Sequence, residues 1–328
     1  MTLQDFLKNW RSDSNTISVQ SSGSTGTPKV LQVEKKRMLA SAKMTCDFLD
    51  IQPGEKALLC MSLDHIGAQM MVVRSIERNL QLIEESPSGH PLANIEEKID
   101  FAAMVPLQIY NTLRVERERE KLKEIRNVII GGGAISPAME EELRDFPNAI
   151  WSSYGMTETL SHIALRAISG KNESEWYTPL NGIQIRVNEE GCLCINAPML
   201  CENELVTNDM AIINEQGDFK ITGRKDNVIN SGGIKIQIEE VEKALGHNQQ
   251  EMAIGSYPDE KFGQIIVLLT TQKDLSILQK EIARLPKYWQ PKKILYVEHI
   301  PLTSNGKIAR EEIQKEIEKQ IRHETHPQ

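Results

Sequence analysis

The sequence predicts an α/β protein: a large layered α/β domain with a β-rich subdomain, followed by a small α+β domain at the C-terminus. Three changes of pattern carry that expectation. Up to about residue 155, short apolar runs alternate with segments of helical period, as in layered folds with ligand loops at strand ends. From Ile183 to Thr222 the chain turns to short alternating strands broken by Asn, Gly and Pro. After Asp226 it becomes a compact mixture of strand and helix, about 100 residues, enough for a separate lid. The expected domains are residues 1–225 and residues 226–328.

Taken in order, Ile17–Val19 is the first strand-like run. A helix follows, with Met38, Leu39, Ala42, Cys46 and Leu49 at spacings of three and four, one face of a 3.6-residue period. Ala57–Met61, Phe101–Val105, Val128–Ile130 and Ala149–Trp151 are the further strand runs of the first half. Between Leu113 and Glu124 the chain is mostly Arg, Glu and Lys, which reads as the solvated face of a helix, with a partner-binding stripe as the alternative. Towards the end, Ile238, Val241 and Leu245 mark a helix, Ile265–Thr270 and Ile294–Val297 strands, and Glu311–Ile321 an amphipathic helix. No internal repeat or long low-complexity segment interrupts the pattern.

A length of 328 residues allows about two domains and a large core. The formal net charge of −8 argues against nucleic acid as the main partner. The start of the chain has no basic region followed by an apolar stretch, and no run approaches the ~20 apolar residues of a membrane span. A cytoplasmic protein without membrane insertion is therefore expected. Cys46, Cys60, Cys192, Cys194 and Cys201 include no Cys-x-x-Cys pair, and Cys192 and Cys194 alternate in a strand-like tract, as small buried hydrophobes do. His323-Glu324-Thr325-His326 lacks the His-Glu-x-x-His spacing of a zinc helix and reads as a C-terminal tail.

Ser21-Ser22-Gly23-Ser24-Thr25-Gly26-Thr27-Pro28-Lys29 suits a polyphosphate. Its glycines let backbone approach an anion, its hydroxyls and N–H groups donate, and Lys29 adds positive charge. It is not a Walker A loop, because two residues separate Gly23 from Gly26 and Val30 follows the lysine. Taken alone, such a cluster is equally a turn or linker. Three further tracts follow it in order: Tyr154-Gly155-Met156-Thr157-Glu158-Thr159; Gly223-Arg224-Lys225-Asp226-Asn227 leading into Ser231-Gly232-Gly233-Ile234-Lys235; and Pro301-Leu302-Thr303-Ser304-Asn305-Gly306-Lys307. Together the four tracts resemble the adenylate-forming superfamily of acyl-CoA synthetases, peptide-synthetase adenylation domains and luciferases.

The resemblance implies a reaction and a set of roles. A carboxylate is a poor acyl donor until AMP supplies a leaving group, after which a thiol can attack; the first step is positioning and charge compensation at the α-phosphate. ATP, Mg²⁺ and CoA are implied. Ser21, Ser22, Gly23, Ser24, Thr25, Gly26, Thr27 and Lys29 would hold the departing phosphates, Thr157 would contact phosphate, and Glu158 would help hold Mg²⁺. Tyr154, with Gly155 beside it, would stack on adenine, and Gly131-Gly132-Gly133-Ala134 matches the adenine-edge loop; a core aromatic and a tight helix-entry turn are the alternatives. Asp209 resembles the aspartate that binds the ribose hydroxyls, helped by Arg224, against the alternative of a turn aspartate. Asp226 corresponds to the hinge about which the small domain turns as a mobile lid between the two half-reactions. Lys307 resembles the lysine that bridges carboxylate and α-phosphate, and Ser231, Gly232 and Gly233 would line the channel for the pantetheine arm of CoA.

For the acid, His65 in Asp64-His65-Ile66-Gly67 stands where the family places an acyl-pocket residue; a capping or packed histidine is the alternative. Thr159-Leu160-Ser161-His162-Ile163-Ala164 resembles the 2-succinylbenzoate–CoA ligases of menaquinone biosynthesis, whose substrate carries a second carboxylate, so Ser161 and His162 are expected as its polar partners. Family members carry a far longer segment before the phosphate loop; a compact form is expected here, with an altered acid pocket or a homodimer interface covering exposed surface. Two readings compete with a CoA ligase: a stand-alone adenylation domain loading a carrier protein, and a non-catalytic nucleotide-binding regulator.

Overall fold

The computed structural model describes residues 1–20, 30–133, 135–246, 251–303 and 308–325. Helix α1 (Leu3–Trp10) starts in a capping box: Thr2 Oγ1 accepts from the Asp5 amide while Asp5 accepts from the Thr2 amide. Strands β1 (Thr16–Gln20) and β2 (Val30–Glu34) pair antiparallel, so they flank the phosphate-loop sequence. Helix α2 (Lys35–Phe48) buries Met38, Ala42 and Cys46 as its period predicts, but it also buries Ser41 and Thr45, while Leu39 stays exposed.

The main sheet begins with β3 (Lys56–Leu59), helix α3 (Ile66–Arg78) and β4 (Gln81–Glu84). It continues through β5 (Phe101–Met104), helices α4 (Pro106–Leu113) and α5 (Glu116–Glu124), β6 (Asn127–Ile130), helix α6 (Pro137–Arg144) and β7 (Ala149–Gly155), and ends with β8 (His162–Ala167) and β9 (Thr178–Pro179). The seven strands lie in the order β4-β3-β5-β6-β7-β8-β9. The first five of these are parallel, and β8 and β9 close the edge antiparallel.

Strand residues alternate between two cores, which is why the sheet is covered on both faces. Ala57, Leu59, Phe101 and Ala103 join the cluster that contains α2 and α3, whereas Leu58, Cys60, Ala102, Met104, Val128 and Ile130 join the one beneath α4, α5 and α6. From β3 the chain steps outward to β4, then returns to place β5, β6 and β7 on the other side. The order therefore reverses between β3 and β5, the switch point where doubly wound sheets open a crevice at their carboxyl ends. The charged helix α5 departs from the solvated reading at one place: Glu118 is buried and takes His90 Nδ1 at 2.9 Å.

Strands β10 (Gln184–Val187), β11 (Cys192–Asn196), β12 (Leu205–Ile213) and β13 (Phe219–Arg224) form a four-stranded antiparallel sheet. Cys192 and Cys194 are free and buried there, the fate their alternation suggests. After a 3₁₀ turn at Lys225–Asn227 come β14 (Val228–Ser231), β15 (Ile234–Gln237), helix α7 (Ile238–Ala244), β16 (Met252–Asp259), β17 (Gly263–Thr270), helix α8 (Ser276–Arg284), β18 (Lys293–Tyr296) and helix α9 (Arg310–Thr325). They make a five-stranded sheet covered by α7 and α8 on one face and α9 on the other. Arg310 ties α9 to this unit, its guanidinium holding both Glu242 oxygens at 2.7 Å and the Ile254 carbonyl at 3.1 Å. Among the described residues no helix is long and apolar enough to cross a membrane.

Candidate active site

The carboxyl ends of the parallel strands carry one group of the sequence-predicted residues. His65 follows β3 as the N-cap residue of α3; its side chain makes no capping bond and is exposed. Gly131, Gly132 and Gly133 follow β6, and Tyr154 and Gly155 end β7. Thr157 and Glu158 lie on the 3₁₀ turn directly after β7. The phosphate-loop residues Ser21, Ser22, Gly23, Ser24, Thr25, Gly26, Thr27 and Lys29, together with Ala134 and Lys307, lie outside the described residues.

The turn after β7 is tightly specified. Thr159 Oγ1 accepts from the Met156 amide at 3.1 Å and reaches the Ser161 carbonyl at 2.8 Å. A side chain at Gly155 is excluded, because a Cβ there would stand 2.4 Å from both the His162 Cα and the Ser161 carbonyl oxygen. Leu160, with φ of 66°, sits in a conformation that costs a branched residue about 1–3 kcal/mol, strain that packing of its buried side chain must offset. Residue 161 thereby follows a bend that an extended strand would not make.

On the nucleotide side, Tyr154 is partly buried and its ring meets Phe219 edge-on at 5.2 Å and Tyr177 at 6.0 Å. Its hydroxyl donates to Asp209 Oδ2 at 2.6 Å, and burial, reinforced by that carboxylate, pushes the phenol well above its ordinary pKa. Asp209 lies opposite Arg224 in the β12–β13 ladder and takes its Nη1 at 3.0 Å. Asp226 accepts from Asn208 Nδ2 at 3.0 Å and from Arg224 Nη2 at 3.3 Å, so one guanidinium joins the predicted ribose and hinge carboxylates. Glu158 is exposed and makes no ion pair among the described residues, where no cluster of three or more candidate metal ligands occurs either. A lone accessible carboxylate suits Mg²⁺, which keeps its waters and shares substrate phosphates, better than a caged ion.

On the acid side, a residue that sequence reasoning passed over dominates. Arg74, on α3, is 2% exposed and has no carboxylate partner among the described residues. Its Nη2 donates to Ser161 Oγ at 2.8 Å, its Nε has no partner, and burial pushes its pKa down to about 10. The available signal was a cation continuing the apolar run Met70-Met71-Val72-Val73 into the buried face of a helix. His162 requires a correction as a direct substrate contact. It is buried, its Nε2 lies 2.9 Å from Thr45 Oγ1 and its Nδ1 3.4 Å from Ser161 Oγ, so both ring nitrogens are engaged inside the protein. Burial, with Arg74 beside it, drives its pKa well below the ordinary histidine value.

In the C-terminal sheet, Ser231 pairs with Ile234, leaving Gly232 and Gly233 as a two-residue hairpin turn with φ of 59° and 83°, the left-handed pair that glycine adopts most readily. The Gly232 amide donates to the Phe262 carbonyl at 2.8 Å. Lys261 Nζ and Lys292 Nζ stand 5.3 Å and 5.9 Å from the centre of the Phe262 ring, a cationic aromatic group beside the turn that the sequence had not singled out.

A doubly wound sheet whose carboxyl edge carries a glycine loop and a Tyr-Gly-x-Thr-Glu turn, the tyrosine bonded to Asp209 of the neighbouring sheet, fits an adenylate-forming enzyme. The chain belongs to the AMP-binding enzyme family, whose model matches residues 9–198. It is similar to the solved structure of an acyl-CoA synthetase (AMP-forming)/AMP-acid ligase II-like protein from Dyadobacter fermentans, with 33% identity, 95% of this chain and 92% of that one covered, and a TM-score of 0.66. It is also similar to the 2-succinylbenzoate–CoA ligase of Listeria innocua, 24% identical over 95% of this chain and 72% of that protein. A long-chain-fatty-acid–CoA ligase of Mycobacterium tuberculosis is 25% identical over 91% of this chain and 67% of that protein.

Proposed function

We propose that the protein is an AMP-forming acid–CoA ligase that activates a dicarboxylic acid, 2-succinylbenzoate in the first instance. The observation that carries the substrate class is Arg74. An arginine out of water without an anion costs several kcal/mol, a cost the fold can recover only when a ligand supplies the missing charge. A fatty acid spends its one carboxylate on adenylation and has none left for Arg74. A dicarboxylate has one for the α-phosphate and one for the guanidinium, with Ser161 as a second polar partner. Similarity to the Listeria innocua ligase supports the same choice.

In the proposed adenylation step, one carboxylate of the acid attacks the α-phosphate of ATP and pyrophosphate leaves. Ser21, Ser22, Gly23, Ser24, Thr25, Gly26, Thr27, Lys29 and Thr157 hold the departing phosphates, Asp209 receives the ribose hydroxyls, and Gly132, Gly133, Ala134 and Tyr154 frame the adenine. Bound Mg²⁺ would neutralise phosphate charge, held from the protein side by Glu158. His65 borders the reacting carboxylate, and Lys307 offsets the charge that builds between carboxylate and phosphate. Residues 226–328 then turn about Asp226 and bring Ser231, Gly232 and Gly233 to the acyl-adenylate. The CoA thiol attacks the acyl carbon and AMP leaves.

Phe262 with Lys261 and Lys292 favours free CoA over a carrier protein, because a stacking ring flanked by two cations suits the adenine and the additional phosphates of CoA, which a carrier-bound phosphopantetheine lacks. The deciding experiment is ATP–pyrophosphate exchange and acyl-CoA formation across a panel of 2-succinylbenzoate, benzoate, acetate and a long-chain fatty acid. 2-Succinylbenzoate should give the highest kcat/KM with Mg²⁺, ATP and CoA. Preference for the fatty acid at equal concentration removes the dicarboxylate assignment, and exchange without turnover on free CoA removes the CoA assignment.

A further inference from the structure

Four side chains connect α3 to α2 through β8. Arg74 Nη2 donates to Ser161 Oγ at 2.8 Å, Ser161 Oγ lies 3.4 Å from His162 Nδ1, His162 Nε2 lies 2.9 Å from Thr45 Oγ1, and Thr45 Oγ1 donates to the Ser41 carbonyl at 3.1 Å. Serine and threonine each have one hydroxyl proton, and a neutral imidazole has one N–H. Arginine only donates, so the Ser161 oxygen is the acceptor and its proton is free for His162 Nδ1. The Thr45 proton goes to the Ser41 carbonyl, so Thr45 Oγ1 accepts from His162 Nε2. The opposite tautomer would leave the Ser161 proton without an acceptor among these partners, and an imidazolium would put a second cation next to buried Arg74.

We propose that His162 and Thr45 are positioning residues: they form a one-way hydrogen-bond chain that fixes His162 as the Nε2–H tautomer, turns the lone pairs of Ser161 towards Arg74, and so holds the guanidinium in place for the acid. The proposal rests on the reading of Arg74 as the counter-ion of the second carboxylate. It explains two features that packing does not. Thr45 occupies the buried face of α2 where the period calls for an apolar residue, and a histidine lies in the core at 6% exposure. It also explains the strained Leu160 and the close approach at Gly155, which together set the bend before Ser161. Neither Thr45 nor His162 touches the reacting atoms; both act through Ser161 and Arg74.

The test has a spectroscopic and a kinetic part. In protein labelled with ¹⁵N-histidine, the His162 signal, assigned by its loss in His162→Asn, should show a neutral ring protonated at Nε2 at pH 7. Thr45→Val removes the acceptor; it should abolish that fixed tautomer and raise KM for 2-succinylbenzoate about tenfold, with KM for ATP and kcat within about twofold of wild type. Thr45→Ser, which restores the hydroxyl, should return the acid KM to near wild type. A His162 ring that is protonated at Nδ1, or charged, overturns the proposal, as does an unchanged acid KM in Thr45→Val when Arg74→Met has raised it. If Arg74→Met itself leaves the acid KM unchanged, the reading of Arg74 falls and the purpose given to the chain falls with it, while the tautomer is still decided by NMR. Should Thr45→Val fail to fold, the wild-type spectrum and Thr45→Ser decide the same question.

Discussion

Two arginines separate the nucleotide side of the site from the acid side. Arg224 is 44% exposed and already paired with Asp209 and Asp226, whereas Arg74 is 2% exposed and pairs with no carboxylate among the described residues. A solvated pair is worth about 0–1 kcal/mol, so Arg224 and Asp209 can open towards neutral ribose hydroxyls at small cost. A dry, unpaired cation is costly until an anion arrives. In the proposed reading the difference lets one cleft handle two ligands: pre-paired charge would receive a hydroxyl-bearing ligand, and unpaired charge would select an ionic one.

The largest effect expected from breaking that contrast is at Arg74. Arg74→Met should lower kcat/KM for 2-succinylbenzoate by about 10²–10³-fold, the scale of losing one partner of a buried charge pair, while leaving ATP binding intact. The same variant should be more stable in urea by roughly 1–3 kcal/mol, since an uncompensated buried charge is gone. Loss of activity with loss of stability would make Arg74 a structural residue. Lys307, the cation assigned to the reacting carboxylate and phosphate, should divide the half-reactions. Lys307→Ala should slow adenylation by about 10²–10³-fold yet convert supplied acyl-adenylate and CoA at close to the wild-type rate. Equal losses in both steps would remove the two-position lid.

Acid should act on the dry side before it acts on the paired side. His162 is held neutral in the folded protein but protonates below about pH 6.5 once unfolded. Its pKa is depressed by folding, so the unfolded state binds more protons in that window. The associated stability is fully present above pH 6.5 and is lost as pH falls towards the folded pKa, at up to about 1.4 kcal/mol per pH unit. Urea denaturation between pH 5 and 7 should show this slope, and His162→Gln should flatten it by one proton. The smallest effect belongs to the nucleotide side: Tyr154→Phe removes one hydrogen bond to a carboxylate and should raise KM for ATP about three- to tenfold without altering acid selectivity.

The sequence by itself determined the architecture and the family, and carried the motifs from which the nucleotide half of the site is proposed. Short apolar runs alternating with helical period became the strands and helices of the main sheet, because burial against two layers leaves a local repeat in the chain. Asp209, Arg224, Thr157 and Glu158 could be proposed from the sequence because each lies in a compact tract that resembles a family motif. Only the tertiary structure brought together the residues proposed for the acid. His162 meets Thr45 across 117 positions and Arg74 meets Ser161 across 87, and no periodicity records which residues of two distant elements will share a proton. The same limit explains Glu118, buried beside an exposed His90 on a helix that reads as solvated, and Leu39, left outside while Ser41 and Thr45 turn in. Local pattern reports which face of an element is apolar. Whether a polar residue on a buried face is an error, a clamp or a binding group depends on the partner that the fold places beside it, because a desolvated polar atom is tolerated only when another atom completes its hydrogen bonds or its charge.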